Sequence, residues 1–193
     1  MTAPDPETPD IKDSLDIDII VRDARWEGAI EGIADVCRES ACAAFHAACA
    51  AHLSGPVTAE AALVLADDEF VAALNRQYRD RDGATNVLSF AATDSGDLFD
   101  DPGKSVRGDA PVMLGDIIVA LETTVREAED LAISAEHHLR HLVVHGMLHL
   151  LGYDHMTDDG AAEMEPLETQ ILGVMHVADP YGEDFGSLEE TRP

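Results

Sequence analysis

The pattern of apolar and polar positions along the chain predicts four strands and five helices in mixed order. Short segments with alternating or β-branched apolar residues are typical of strands, and they lie at residues 16–21, 57–65, 86–92 and 113–121. Longer segments with apolar residues every three or four positions are typical of helices, and they lie at 26–53, 68–78, 122–131, 135–151 and 158–172. Because the two types intermix without strict alternation, we predict an α+β domain. It should hold a small mixed four-stranded sheet packed with about five helices.

Local signals support several of these boundaries. Asp67 or Asp68 can cap the helix at 68–78, and Ser134 can cap the helix at 135–151, because short polar side chains bind the free N–H groups of a first helical turn. Gly152 follows that second helix, where a glycine with positive φ commonly ends it. Pro166 lies inside the last predicted helix and indicates a kink or a boundary.

The length of 193 residues fits one domain with tails. Residues 1–14 are acidic and contain three prolines, which predicts a disordered N-terminal tail. Residues 174–193 are acidic with few large apolar residues, which predicts a flexible C-terminal tail. The remaining residues, 15–173, are predicted to form a single domain.

The chain is expected to be cytoplasmic. No apolar run approaches the roughly 18 residues that span a membrane, and the N-terminus lacks the basic and apolar regions of a signal peptide. The three cysteines, Cys37, Cys42 and Cys49, form no C-x-x-C pair. They are interpreted as packing thiols in a reducing compartment rather than as a disulfide framework.

Charge limits the classes of partner. The chain has 39 acidic against 12 basic residues and a formal net charge of -27. Since affinity for phosphate comes from lysine and arginine, this balance argues against an indiscriminate nucleic-acid binder.

One segment carries the pattern of a metal site. His145 and His149 are four residues apart on a predicted helix, so their imidazoles share one face and can reach one ion. Gly152 then ends the helix and lets the chain turn, which can bring His155 to the same ion. Three imidazoles without a fourth protein ligand describe an open catalytic site, and zinc is the metal that we expect. The domain is therefore predicted to be a metal-dependent hydrolase with a zincin-like metal-site helix.

Other residues near this segment are candidates for supporting roles. His141 precedes His145 by one helical turn and can line the site or serve structure alone. Carboxylates often orient metal-bound histidines, and the sequence does not rank Asp116, Asp154 and Glu165 for this role.

The spacing H-x-x-x-H-x-x-G-x-x-H is also that of metzincin peptidases. Those enzymes carry H-E-x-x-H, in which the glutamate is the general base, and here that position is Gly146. A peptidase with this mechanism would lack its base.

The chain resembles the YbeY-type bacterial endoribonucleases. The likeness covers roughly residues 60 to 173 and is strongest in HGMLHLLGYDH, residues 145–155. It extends to four further segments: LNRQYRDRDGATNVLSF (74–90), LGDIIV (114–119), EHHLRHLVVHG (136–146) and MEPLETQIL (164–172).

The resemblance implies a fold, a cofactor and an activity. The fold would be α+β with a small mixed sheet, and one zinc per chain would bind His145, His149 and His155. The activity would be cleavage of single-stranded RNA in 16S rRNA 3′-end maturation, rRNA processing and ribosome quality control. The expected partners are ribosomal RNA and the small ribosomal subunit with its proteins. Neither DNA nor a membrane is expected as a partner. Arg79 matches the family's functional arginine.

The residues around Arg79 support this assignment independently of the resemblance. Arg76, Arg79 and Arg81 are three of the twelve bases within six residues, and residues 131–153 contain a single acid, Glu136. An arginine beside a metal can stabilise charge on a phosphodiester in its transition state, and Arg76 is a further candidate RNA contact. The alternative for Arg79 is an ordinary surface ion pair with Asp80 or Asp82.

Two other functions stay open on sequence alone. One is a metallopeptidase with the H-x-x-x-H-x-x-G-x-x-H site. The other is a non-enzymatic ribosome assembly factor in which the metal is structural.

Overall fold

A computed structural model of the chain describes residues 14–52, 57–92 and 110–182. Within these ranges four strands and six helices form one mixed α+β arrangement. In chain order they are β1 (Ser14–Val21), α1 (Arg25–Ala29), α2 (Ile33–His52), β2 (Thr58–Ala66), α3 (Asp68–Arg79), β3 (Val87–Ala91), β4 (Val112–Ala120), α4 (Leu121–Asp130), α5 (Ala135–Leu150) and α6 (Asp158–Val174).

The four strands form one sheet in the order β1-β2-β4-β3. Strand β2 runs parallel to both β1 and β4, whereas β3 pairs antiparallel with β4 and forms an edge of the sheet. The predicted α+β class and mixed four-stranded sheet are thereby confirmed.

The helix count differs from the prediction because the segment predicted as one helix at 26–53 forms two. Gly32 adopts φ 65°, a left-handed conformation that does not continue a helix. Ile30 is extended and buried, and the buried Trp26 donates its indole N–H to the carbonyl of Ala66 at 3.0 Å. Tertiary packing of these two apolar side chains therefore determines the break.

Alternate residues of the strands serve two packing layers, as the period of a strand requires. On one face, Leu63 and Ile117 belong to the large core that includes α2, α5 and α6. On the other face, Leu88 and Ile118 pack with Val71 of α3 in a smaller cluster. Helices α3 and α5 therefore lie on opposite faces of the sheet.

The predicted helix caps are present. The side chain of Asp67 accepts the N–H of Phe70 at 2.8 Å, and that of Ser134 accepts the N–H of His137 at 3.1 Å. Gly152 has φ 96° directly after α5, a value that favours glycine.

The last helix continues through Pro166, so this residue marks no boundary. The side chain of Thr157 caps its first turn. Pro166 and Ala162 are exposed, and water can solvate the Ala162 carbonyl that a proline four residues later leaves without an N–H donor.

The division into a domain at 15–173 and two tails stays a prediction. Residues 1–13, 53–56, 93–109 and 183–193 lie outside the described residues.

Residues beyond 173 nevertheless contribute to the core, since Val177 is buried in the large cluster.

In the part of the chain that the structure describes, no helix combines the length and the apolar character needed to cross a membrane.

Candidate metal centre

Helix α5 and the turn after it bring together the three histidines that the sequence singled out. The ring centroids of His145 and His149 lie 4.5 Å apart, and each lies 5.1 Å from that of His155. One ligand nitrogen from each ring lies within 4.8 Å of the others. The half-buried rings of His145 and His149 and the exposed ring of His155 thus form an open triangle.

Hydrogen bonds to the far side of two rings fix which nitrogen faces the centre. Nδ1 of His145 lies 2.8 Å from Oε1 of Glu168, and Nδ1 of His149 lies 2.9 Å from the carbonyl oxygen of Tyr153. Both oxygens accept hydrogen bonds, so in the neutral rings Nδ1 carries the proton. The Nε2 lone pair of each ring is therefore directed into the triangle.

This donor set fits a divalent metal. The Nε2 atoms of His145 and His149 lie 3.1 Å apart, and two lone pairs at that distance repel unless a cation or a proton lies between them. Burial, followed by the proximity of His145, lowers the pKa of His149, which favours the neutral imidazole that a metal requires. Three imidazole nitrogens are a ligand set typical of zinc.

Glu168 belongs to the candidate site, although the sequence interpretation did not name it. Its side chain is fully buried, and it accepts hydrogen bonds from Nδ1 of His145 and from the hydroxyl of Tyr181. Burial by itself would raise the pKa of Glu168, but the hydrogen bond and charge of His145, and then Tyr181, hold it below the ordinary value. Glu168 is the carboxylate that orients the ring of His145.

The sequence did contain a signal for Glu168. On α6 the buried residues are Met164, Glu168, Ile171 and Leu172, so the glutamate occupies a core position of an amphipathic helix. A carboxylate in such a position is seldom buried without a partner. Glu165, one of the three carboxylates named from sequence, is only partly buried and forms no hydrogen bond or ion pair with the described histidines.

Two other predicted residues lie beside the cluster without orienting a ligand. The ring of His141 lies 6.1 Å from that of His145, and its Nε2 lies 3.9 Å from Oε2 of Glu168. Burial lowers the pKa of His141 to about 4, so the ring is neutral near pH 7. Asp154 is exposed and accepts the N–H of Met156 at 3.0 Å, which shapes the turn that carries His155.

Comparison with known proteins identifies the chain's relatives. Residues 31–176 match the model of a family described as Endoribonuclease YbeY. The chain belongs to this family. The Endoribonuclease YbeY of Rhodospirillum rubrum is 46% identical over 167 residues, which cover 86% of this chain and 80% of the relative. That of Sinorhizobium medicae is 43% identical over 175 residues, which cover 88% of this chain and 96% of the relative.

Within this YbeY-family fold, Arg79 is not joined to the histidine cluster by any hydrogen bond or ion pair between described residues. It is the exposed last residue of α3, on the opposite face of the sheet from α5. Both helices nevertheless flank the edge strand β3: Ser89 donates to the carbonyl of Gly146 on α5 at 3.1 Å, and Phe90 packs 5.4 Å from Tyr78 on α3.

Asp116 and Arg76 lie on the α3 side of the YbeY-family sheet. Asp116 pairs in register with Phe90 and is exposed there. It therefore does not orient a metal ligand, which corrects the role that the sequence suggested for it. Successive residues of a strand face opposite sides of the sheet. Ile117 faces the core that includes α5, so Asp116 and Ile118, on either side of it, face α3. Arg76 forms an ion pair with Asp82 at 3.2 Å.

Gly146 faces the sheet. A Cβ atom at this position would lie 2.9 Å from Cγ2 of Ile117 and 3.1 Å from Oγ of Ser89. The space that the general-base glutamate of H-E-x-x-H would need is therefore filled in this member of the YbeY family.

Proposed function

We propose that this chain is a zinc-dependent endoribonuclease that cuts single-stranded RNA. One zinc per chain binds His145, His149 and His155. The observation that carries this proposal is the convergence of three imidazoles whose remaining hydrogen bonds direct at least two Nε2 lone pairs to one point. The relatives named Endoribonuclease YbeY supply the substrate class.

The residues around the three histidines have distinct proposed roles. When bound, zinc supplies Lewis acidity and activates water near neutral pH. Glu168 and the Tyr153 carbonyl hold His145 and His149 in the orientation and tautomer that the metal needs. The cluster is open on the side of His155, which is exposed and leaves room for a phosphodiester.

Arg79 is proposed to bind the phosphate beside the cleaved bond. The alternative was an ion pair with Asp80 or Asp82, but Asp82 pairs with Arg76. Among the described residues Arg79 forms no ion pair, so its guanidinium is accessible to a phosphate. An RNA strand that passes over the edge strand β3 would meet both Arg79 on one side and the histidines on the other.

The same chemistry favours RNA over peptide. A metallopeptidase of this spacing needs a carboxylate base after the first histidine, and the packing of Ile117 against Gly146 leaves no room for one. Attack on phosphorus can proceed without it when metal and arginine stabilise the developing charge. An open site of three ligands also favours catalysis over a purely structural metal in an assembly factor.

The cellular role proposed here follows the family resemblance. The enzyme would act in the cytoplasm on 16S rRNA 3′-end maturation, on other rRNA processing and in ribosome quality control. Its partners would be ribosomal RNA and the small ribosomal subunit with its proteins. The net charge of -27 supports recognition of a few sites rather than of RNA at large.

Incubation of the purified protein with single-stranded RNA, duplex RNA and casein, with and without chelator, tests the activity. Single-stranded RNA should be cut, the other two should stay intact, and chelator should stop cleavage. Chelator-sensitive casein digestion with intact RNA would contradict the proposal. RNA loss that persists in a His145→Ala protein would reveal a contaminating nuclease.

A further inference from the structure

The segment after α6 folds back along that helix. His176 has φ 59°, and the N–H of Val177 donates to the carbonyl of Leu172 at 3.0 Å, so the chain reverses as the helix ends. Val177 is buried in the core and anchors the reversal. The residues that follow are thereby directed back toward the face of α6 that carries Glu168.

A tight turn then fixes Tyr181 against α6. One carboxylate oxygen of Asp179 accepts a hydrogen bond from the hydroxyl of Thr169 on α6 at 2.9 Å. The same oxygen accepts the N–H of Tyr181 at 3.0 Å. The turn is therefore tied both to the helix and to its own backbone, and its geometry positions the tyrosine side chain.

Tyr181 binds the carboxylate that orients His145. Its hydroxyl donates to Oε2 of Glu168, while Oε1 of the same side chain accepts from Nδ1 of His145 at 2.8 Å. Its ring packs edge-to-face on His141 with centroids 6.3 Å apart. Each oxygen of the fully buried carboxylate thus has one hydrogen-bond partner, and the two partners fix its rotation.

The same residues do not form a second metal site. His141, His145 and Glu168 have ligand atoms within 4.8 Å of one another. However, two atoms that coordinate zinc tetrahedrally at about 2.0–2.1 Å lie roughly 3.3 Å apart. The 2.8 Å between Nδ1 of His145 and Oε1 of Glu168 is a hydrogen-bond distance instead.

We propose that Tyr181 is a positioning residue for the zinc centre, acting through Glu168 on His145. The inference rests on the proposed zinc ligands. Without the hydroxyl, Oε2 of Glu168 would lose its hydrogen-bond partner inside the protein, and the carboxylate would be free to rotate toward His141, 3.9 Å away. Tyr181 lies beyond residues 31–176, which match the family model, so the C-terminal segment would contribute to the metal centre from outside that region.

Zinc affinity, measured by competition with a chromophoric chelator, tests this role. Tyr181→Phe keeps the ring and removes only the hydroxyl, and we expect affinity to fall about three- to tenfold. Glu168→Gln should lower it about 10- to 100-fold, the range for groups that hydrogen-bond to metal ligands. In the Glu168→Gln background, Tyr181→Phe should add almost nothing, because it acts through that carboxylate. The visible absorption of the Co²⁺-substituted protein should change in both single variants.

Matched controls separate this effect from general structural change. Tyr78→Phe removes the hydroxyl of an exposed tyrosine on α3, and Glu163→Gln neutralises an exposed glutamate on α6. Both should bind zinc like the wild type. Circular dichroism establishes that each variant is folded. If Glu168→Gln does not fold, the near-isosteric Tyr181→Phe decides the question alone.

The outcomes distinguish this inference from the proposed function. Wild-type protein without saturable zinc binding would overturn both. Tight wild-type binding with unchanged affinity and an unchanged Co²⁺ spectrum in Tyr181→Phe would overturn only the positioning role. A double variant in which the two losses simply add would also contradict it.

Discussion

Ile117 of β4 packs so closely against α5 that a Cβ atom on Gly146 would lie 2.9 Å from its Cγ2. Gly146→Ala should therefore destabilise the fold by about 1–3 kcal/mol through overpacking. This exceeds the roughly 1 kcal/mol by which alanine favours a helix over glycine. Thermal or urea unfolding measures the difference.

Gly173 on α6 is the matched control, because nothing lies within 4 Å of a Cβ placed there. Gly173→Ala should leave stability unchanged or raise it by up to about 1 kcal/mol. Equal stabilisation by both substitutions would contradict the close packing of Ile117 against Gly146.

The ligand assignment predicts about one tightly bound zinc per chain and its loss in His149→Ala, since two imidazoles hold a divalent ion much less tightly than three. Elemental analysis of protein purified without chelator measures the content. His46→Ala, at an exposed histidine on α2, should keep its zinc. Full zinc content in His149→Ala would remove this residue from the ligand set.

Arg79→Ala should fold and keep its zinc but cleave RNA about 100- to 1000-fold more slowly, the effect of removing one group that stabilises transition-state charge. Arg38→Ala serves as the control, since Arg38 is an exposed arginine on α2 that pairs with Asp35 and should contribute little. Cleavage rates, zinc content and circular dichroism would be compared. A folded Arg79→Ala protein with full activity would return Arg79 to the role of a surface charge.

Cys37 gives a pH dependence of stability. Burial raises the pKa of this thiol from 9.0 to about 12. The folded chain therefore retains a proton that the unfolded chain releases above pH 9. The stabilisation is complete below pH 9 and is lost between about pH 9 and 12. At pH 10 the loss should be about 1 kcal/mol.

Urea unfolding at pH 8 and pH 10 measures this loss. The wild type should lose about 1 kcal/mol more than Cys37→Ala over that interval, whatever the cost of the substitution itself. An identical pH dependence in the two proteins would show that Cys37 titrates normally and is not buried as described.

The sequence predicted best those features that local chemistry determines. The caps at Asp67 and Ser134, the turn at Gly152 and the spacing of His145 and His149 all follow from residues within one or two helical turns. The break between α1 and α2 was missed because it depends on Trp26, which reaches the carbonyl of Ala66 across the fold.

The supporting residues of the site are less predictable because their positions also depend on contacts between segments that are distant in sequence. Asp116 is a candidate from sequence because carboxylates often orient metal-bound histidines, but the alternation of β4 places it on the opposite face from Ile117 and α5. Glu168 and Tyr181 lie 23 and 36 residues after His145 in sequence. Only the packing of α6 on α5 brings Glu168 to His145, and only the reversal of the chain after α6 brings Tyr181 to Glu168.

The most direct test of the zinc-dependent nuclease is reconstitution of the metal-stripped protein. Single-stranded RNA cleavage is measured while zinc is added in fractions of an equivalent, and the same titration is run with His149→Ala. Wild-type cleavage should be absent without zinc, rise in proportion to zinc and level off at about one equivalent per chain, while His149→Ala should stay inactive. Full cleavage by the stripped wild-type protein, or equal rescue of His149→Ala, would contradict the proposed zinc-dependent nuclease.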